Sequence, residues 1–111
     1  MLVAFNGEPM CFVHVLLNAL DMKSKGYEVK VVIEGSATRL ANELNDGGKP
    51  FGKLYLDVRG KGLIDCVCRA CAGKMEALEG VEAQGLPVCD DMKGHPSLAR
   101  YLEAGYEVVT F

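Results

Sequence analysis

Three of the five cysteines in this 111-residue chain lie within six residues, at Cys66, Cys68 and Cys71. They stand where an apolar run ending at Val67 gives way to a helix-like run over 72–81. A cysteine between the end of a strand and the start of a helix meets unpaired backbone N–H groups and the positive end of the helix dipole. Both favour the thiolate, which is the form that attacks sulfur or binds metal. The cluster therefore indicates sulfur transfer, dithiol redox chemistry or metal binding.

Cys68 is the candidate nucleophile, because we expect it to be the last residue of a strand or the first of the following turn. Cys71 lies three residues later, about one helical turn on, and is a candidate resolving partner. Cys66 precedes Cys68 by two residues and should point to the same face of the strand. For Cys66 the interpretation as a small core residue is favoured.

A polar segment over 89–97 carries the other candidate groups. His95 either exchanges a proton with Cys68 or caps the last helix, and the sequence leaves both interpretations open. The acidic pair Asp90 and Asp91 is typical of a solvated loop, although it could bind a partner or a cation. Cys89 opens this segment.

Metal binding is an alternative to nucleophilic chemistry. A Cys-x-x-Cys pair supplies half of a tetrahedral zinc site. Structural zinc usually uses two close-spaced pairs, whereas this chain has one. The ligands of the alternative site would be Cys66, Cys68, Cys71, Cys89 and His95.

Size and composition predict one domain over residues 1–111. Half of the residues are hydrophobic and 24% are charged, so a real core is expected. The net charge is −3 and no run of lysine or arginine occurs, which argues against a nucleic-acid partner.

The first apolar stretch, over 10–20, is too short to span a bilayer and follows Glu8 and Pro9 rather than a basic segment. We therefore expect a cytoplasmic protein with no membrane partner. Thiols stay reduced in that compartment, so clustered cysteines are more typical of reactive or metal-binding sites than of structural disulfides.

Helix-like and strand-like segments alternate along the chain, and at four junctions a glycine stands between them, where a left-handed cap residue is favoured: Gly26, Gly62, Gly85 and Gly105. This alternation predicts a three-layer α/β/α sandwich with a mostly parallel five-stranded sheet, as in flavodoxin-like folds. The predicted strands are 2–5, 28–33, 63–67, 86–88 and 106–111, and the predicted helices are 9–25, 37–45, 72–83 and 96–104, with a further helical piece within 50–60.

In such folds the working loops lie at the carboxyl ends of the strands. The loops 6–8, 34–36, 68–71 and 89–95 should therefore open on one edge of the sheet, so that distant residues share one site. The first loop has neither the G-x-G-x-x-G spacing nor a Walker lysine, and Glu8 would repel a phosphate. No nucleotide or other cofactor is predicted.

The first predicted helix is apolar on nearly every side, which predicts a helix buried all round. In a chain this small, that pattern indicates burial partly against another subunit. His14 and Cys11 on this helix are then core or interface residues rather than catalytic ones.

The chain resembles the DsrE/DsrF-like proteins, which include the TusD-type sulfur-relay subunits, over essentially its whole length. The resemblance rests on the short α/β architecture, the run over 62–68 that ends a central strand in a cysteine, and the final strand ending at Phe111. A small subgroup with a CxxC motif matches further, at Cys68-Arg69-Ala70-Cys71 and Gly94-His95-Pro96-Ser97.

The resemblance implies a DsrE-like fold and a homo-oligomer, with dimers, trimers and hexamers all represented in the family. It also implies that Cys68 carries a persulfide, so that the chain acts as a sulfur carrier or sulfurtransferase between donor and acceptor proteins. TusD-type subunits lack a counterpart of Cys71, which would either receive the sulfur or release it by forming a disulfide with Cys68. Arg69 could add positive charge beside the thiolate, and His95 could assist proton transfer.

Overall fold

The computed structural model describes all 111 residues as a parallel sheet covered by helices. The strands are β1 (Leu2–Ala4), β2 (Val31–Ile33), β3 (Ile64–Cys68), β4 (Val88–Cys89) and β5 (Val109–Thr110). The helices are α1 (Pro9–Ser24), α2 (Thr38–Glu43), α3 (Gly52–Gly60), α4 (Arg69–Lys74), α5 (Leu78–Ala83) and α6 (Leu98–Glu103), with a 3-10 turn over Gly35–Ala37 before α2.

The five strands lie in the order β4-β3-β2-β1-β5, and every neighbouring pair is parallel. The prediction of a three-layer α/β sandwich with a five-stranded parallel sheet is confirmed. The strand order is not the 2-1-3-4-5 of flavodoxin itself. Connections between parallel strands are right-handed as a rule. Because the chain steps in one direction from β1 to β4 and then returns to β5, α1 to α5 cover one face of the sheet and α6 covers the other.

The two faces of the sheet differ in how much they are covered. The face under α1 to α5 holds a cluster of 21 buried residues, in which Tyr55 and Phe12 are the largest. The other face holds five, including Cys66 on β3 and Tyr101 on the covering helix α6. The cysteine-bearing side of β3 therefore belongs to the thinly covered face.

The predicted helix over 72–83 is two helices, so that prediction is wrong. Helix α4 begins directly after Cys68 and ends at Lys74. Glu76 then adopts a left-handed conformation, with φ of 57°. The Ala77 N–H donates to the Ala72 carbonyl at 2.7 Å and the Glu76 N–H donates to the Gly73 carbonyl at 3.1 Å, which is a Schellman ending. A glutamate at a position that usually takes glycine hid this break in the sequence.

Helix α1 begins at Pro9 as predicted, but within the chain it is not buried all round. Met10 is 57% exposed and Leu17 is 48% exposed. His14 is also exposed, and Cys11 is half-buried. The apolar residues on the outer side of this helix are therefore only partly covered within one chain, and their burial against another subunit stays a prediction.

No helix combines the length and the apolar character that crossing a membrane requires.

Candidate functional site

Cys68 stands at the junction of two elements, as the last residue of β3 and the N-cap of α4. The Cys71 N–H donates to the Cys68 Sγ at 3.4 Å. An N-cap side chain accepts such a bond because the first N–H groups of a helix have no partner within it. Cys68 is fully buried, whereas Cys71, on the first turn of α4, is half-buried.

His95 meets both thiols. Its Nδ1 lies 3.2 Å from the Cys68 Sγ and 3.7 Å from the Cys71 Sγ. The ligand atoms of the three residues all lie within 4.8 Å of one another. The structure thus brings together Cys68, Cys71 and His95, which the sequence placed on two separate loops of one sheet edge.

A two-residue turn holds His95 in this position. Met92 and His95 exchange backbone hydrogen bonds of 2.8 and 3.0 Å across Lys93 and Gly94, whose φ values are 51° and 90°. Two successive positive φ values make a tight hairpin turn of the primed kind. The Ala70 N–H donates to the Gly94 carbonyl at 2.9 Å, so the tip of the turn rests on the start of α4. A Cβ on Gly94 would lie 3.1 Å from the Ala70 Cβ, so this close approach favours glycine.

Burial decides the protonation of Cys68. It raises the pKa of this thiol to about 12, and the charges of Cys71 and Glu34 act in the same direction, while the Cys71 N–H opposes them. The expectation that the helix start holds a resting thiolate is therefore wrong, because desolvation outweighs the helix terminus. The thiol has two acceptors in reach, the His95 Nδ1 at 3.2 Å and the Gly94 carbonyl at 3.6 Å. Acceptance at Nδ1 requires the imidazole proton on Nε2.

Glu34 is a member of the site that sequence reasoning missed. It follows β2 directly and is only 9% exposed. Burial raises the pKa of its carboxyl group, and the charge of His95 partly offsets the rise. The sequence placed residues 34–36 on the correct sheet edge, but nothing in it marked this glutamate as different from the others. The signal that could have found it is its position immediately after a fully apolar strand beside β3.

Arg69 is paired with a carboxylate rather than free to act on Cys68. Its Nε lies 3.4 Å from the Asp90 Oδ2, and both side chains are about half exposed. This pair joins the start of α4 to the segment that carries His95. An exposed ion pair of this kind contributes at most about 1 kcal/mol to stability, so it positions the segment more than it stabilises the fold.

The comparisons with known proteins find a relative that spans most of the chain. The uncharacterized protein MJ0733 of Methanocaldococcus jannaschii is 34% identical over 96 residues, which cover 86% of this chain and 76% of the relative. The chain belongs to the MJ0733 family. An uncharacterized protein of Archaeoglobus fulgidus is 51% identical over 37 residues, which are 33% of this chain and all of that protein. No family model matches the chain, and no solved structure matches it significantly.

Of the three cysteines outside the site, two form a disulfide in this member of the MJ0733 family, and Cys11 is free. Cys66 and Cys89 lie on neighbouring strands with a Cα–Cα distance of 5.8 Å, within the usual span of a disulfide. The alternative metal site that included Cys66 and Cys89 is therefore corrected to Cys68, Cys71 and His95, because the first two sulfurs are bonded to each other. The sequence favoured reactive or metal-binding cysteines over a structural disulfide, and for Cys66 and Cys89 that preference is wrong, because it rested on the expected compartment and not on strand pairing.

The disulfide has its own polar surroundings. The Cys66 Sγ lies 3.5 Å from the Tyr101 hydroxyl, which donates to the Asp65 carboxylate. The Arg100 guanidinium donates to the same hydroxyl at 3.1 Å and to the Cys89 Sγ at 3.7 Å. These groups hold α6 over β3 and β4. They form no hydrogen bond with the thiols of Cys68 and Cys71.

Cys68, Cys71 and His95, here called the free trio, combine two thiols with a base. His95 can accept the proton of either cysteine, and the deprotonated sulfur can then attack an electrophilic sulfur or bind a metal ion. The arrangement is therefore suited to cysteine chemistry that moves a proton and a sulfur together.

Proposed function

We propose that this member of the MJ0733 family is a sulfur carrier in which Cys68 receives sulfane sulfur from a donor persulfide. The observation that carries the proposal is the 3.2 Å distance from the Cys68 Sγ to the His95 Nδ1, with Cys71 beside both. Nucleophilic cysteines need a base within hydrogen-bond reach, and His95 meets this requirement.

Loading is an exchange of one sulfur–sulfur bond for another. His95 takes the Cys68 proton as the Cys68 Sγ attacks the terminal sulfur of a donor persulfide, R–S–SH. A Cys68 Sγ–S bond forms, the donor S–S bond breaks, and the leaving thiolate R–S⁻ takes the proton from His95. The products are Cys68–S–SH and R–SH, so the step needs no external oxidant or reductant. Because His95 takes the proton during the attack and passes it to the leaving group, the buried site need not hold a free thiolate at rest.

Cys71 is placed to unload the sulfur. Its Sγ shares the His95 Nδ1 with Cys68, and its side chain is the more exposed of the two. Attack of Cys71 on the terminal sulfur of Cys68–S–SH gives Cys71–S–SH and restores the Cys68 thiol. An acceptor thiol then takes the same sulfur from Cys71. Burial of Cys68 protects the stored persulfide from small thiols between these events.

The resemblance to the DsrE/DsrF-like proteins supports this function, since Cys68 matches the cysteine that carries the persulfide in that family. The same resemblance supports a homo-oligomer, and the exposed apolar residues Met10 and Leu17 on α1 offer a surface for it. The donor and acceptor in this proposal are proteins of the cytoplasm.

Intact-protein mass spectrometry after exposure to a persulfide donor tests the proposal. We expect the wild type to gain one sulfur that a reductant removes. We expect Cys68→Ser to gain none, whereas Cys11→Ser, which removes the free thiol outside the site, should load like the wild type. Circular dichroism of Cys68→Ser must match the wild type. Equal loading of Cys68→Ser and the wild type would overturn the assignment.

A further inference from the structure

The free trio has the shape of a metal site. In a tetrahedral zinc centre with Zn–S distances of about 2.3 Å and Zn–N distances of about 2.0 to 2.1 Å, a sulfur and a nitrogen ligand lie about 3.5 Å apart. The distances from the His95 Nδ1 to the Cys68 and Cys71 sulfurs are 3.2 and 3.7 Å, which fall on either side of this value. Small adjustments of the side chains would therefore place the three atoms around one ion.

The charges around the trio also favour a cation. Cys68 and Cys71 become negative when they lose their protons, and the nearly buried Glu34 follows β2 directly, at the same edge of the sheet as the end of β3. The adjacent basic side chain, Arg69, is paired with Asp90. Two thiolates and a carboxylate in a buried region repel one another unless positive charge lies among them.

We propose that Cys68, Cys71 and His95 bind a thiophilic divalent ion, with Zn²⁺ as the best match, through three protein ligands and with the fourth position open. Two thiolates and an imidazole form a ligand set typical of zinc, and three protein ligands with one free position are typical of sites that exchange a ligand. The disulfide between Cys66 and Cys89 excludes these two residues from the fourth position.

Metal binding and sulfur loading use the same atoms. The ion would bind to the Cys68 Sγ and the His95 Nδ1, which are the nucleophile and the base of the loading step. Binding also releases the protons of both thiols. The bound ion therefore blocks loading, so that metal and sulfur compete for one site; this consequence rests on the proposed function, whereas metal binding itself does not.

Titration with Co²⁺ tests the site without reference to sulfur. We expect one ion per chain, with the intense visible bands of tetrahedral Co²⁺ and a thiolate charge-transfer band, and displacement by Zn²⁺. Cys71→Ser and His95→Gln should each weaken Co²⁺ binding by at least about tenfold. Removing a residue that merely hydrogen-bonds to a metal ligand already lowers metal affinity by about that factor. Cys11→Ser, outside the trio, should bind like the wild type.

Loss of metal binding in a variant must be separated from loss of folding. Cys71 is half-buried and His95 lies on a surface turn, so either variant can be checked for a wild-type circular dichroism spectrum before titration. Weakened binding in both folded variants supports the site. Absence of a tetrahedral Co²⁺ spectrum in the wild type, or equal affinity in the wild type and both variants, would overturn it.

A second arm separates this inference from the proposed function. Metal-free and Zn²⁺-loaded protein are exposed to the same persulfide donor and weighed by mass spectrometry. Loading of the metal-free protein alone supports the competition. Metal binding without any loading of the metal-free protein would leave the metal site standing and remove the sulfur-carrier function. Equal loading of both forms would contradict the competition.

Discussion

Strand β3 supplies one cysteine to each of two pairs, and the pairs differ in bonding. Cys66 and Cys89 form a disulfide, whereas Cys68 and Cys71 are free thiols. Cys66 and Cys68 are separated by one residue on β3 and point to the same face of the sheet. Cys66 is bonded to Cys89, beneath α6 and beside Tyr101. Cys68 is free and lies against Cys71 and His95, where β3 ends. Both cysteines have β4 beside them, since Cys68 is the register partner of Cys89, but only Cys66 is bonded to Cys89. The Cys68 side chain instead caps α4 and lies against the loop that carries His95.

This difference shows that position along a strand can decide between a structural and a reactive role. Cys66, inside the strand, has Cys89 at the Cα–Cα distance that a disulfide requires. Cys68, at the end of the strand, has the Cys71 N–H as a backbone donor and the imidazole of His95, which can exchange protons. The predictions below change one pair at a time, so that each effect can be assigned to its own pair.

The largest expected effect is on the alkylation of Cys68. Burial raises the pKa of this thiol from 9.0 to about 12, so its thiolate fraction at neutral pH is about 10³-fold below that of an ordinary thiol. Alkylation by iodoacetamide should be slower by at least this factor, because iodide as a leaving group takes up no proton. The rate should rise about tenfold per pH unit as the thiolate fraction grows, up to a pH near the pKa.

Peptide mapping after timed alkylation measures this rate, with Cys11 in the same molecule as the internal comparison. Rapid alkylation of Cys68 at neutral pH, independent of pH, would show that the resting form is the thiolate. That result would contradict the conclusion that burial outweighs the helix terminus.

Removal of the base should come next in size. His95→Gln keeps a polar side chain but loses the Nδ1 that lies 3.2 Å from the Cys68 Sγ. General acid–base groups contribute typically about 10² to 10⁴ in rate, so sulfur loading should slow by a factor of that order. Stopped-time mass spectrometry of the persulfide provides the measurement. The disulfide between Cys66 and Cys89 should stay intact in this variant, and an unchanged loading rate would remove His95 from the mechanism.

The disulfide should affect stability rather than chemistry. It closes a segment between residues 23 apart in sequence, and a disulfide around a loop of this size contributes about 2 to 4 kcal/mol, mainly by restricting the unfolded chain. Urea unfolding of Cys89→Ser should show a loss of this size under oxidising conditions. The wild type should lose the same amount in dithiothreitol, whereas the variant should not change. Equal stability of the oxidised variant and the wild type would mean that the pair is not bonded in solution.

The smallest effect should come from the hydroxyl beside the disulfide. Tyr101 is buried and its hydroxyl contacts Cys66, Asp65 and Arg100. Tyr101→Phe removes these hydrogen bonds and should cost about 1 kcal/mol in the free energy of unfolding. Sulfur loading on Cys68 should be unchanged, because the Tyr101 hydroxyl forms no hydrogen bond with any of the three residues of the site. A loading defect in this variant would show that the two pairs are coupled.

Sequence reasoning succeeded where a local pattern fixes the outcome. Alternating apolar and helical segments predicted the five parallel strands, and the rule about carboxyl ends of strands placed residues 68–71 and 95 on one edge. Cys68 at a strand end and Cys71 one helical turn later needed no long-range information. This is why the trio could be predicted as a candidate site before its distances were known.

Sequence reasoning failed where the outcome depends on what packs nearby. The pairing of Cys66 with Cys89 requires β4 to lie beside β3, although β4 is only two residues long. The protonation of Cys68 depends on burial beneath the turn at Gly94, which no local pattern reports. Glu34 became part of the site through the neighbouring strand. These three features are tertiary, whereas the predicted ones are local or topological.

The most direct test of the sulfur-carrier function locates the sulfur on the chain. Trypsin cleaves after Arg69, so it separates Cys68, in the peptide 62–69, from Cys71, in the peptide 70–74. After brief loading and alkylation we predict the added sulfur on the peptide 62–69, at Cys68, with Cys66 and Cys89 still joined. At longer times, part of the sulfur should move to the peptide 70–74. Sulfur on Cys66 or Cys89, or none on the peptide 62–69 at any time, would contradict the account.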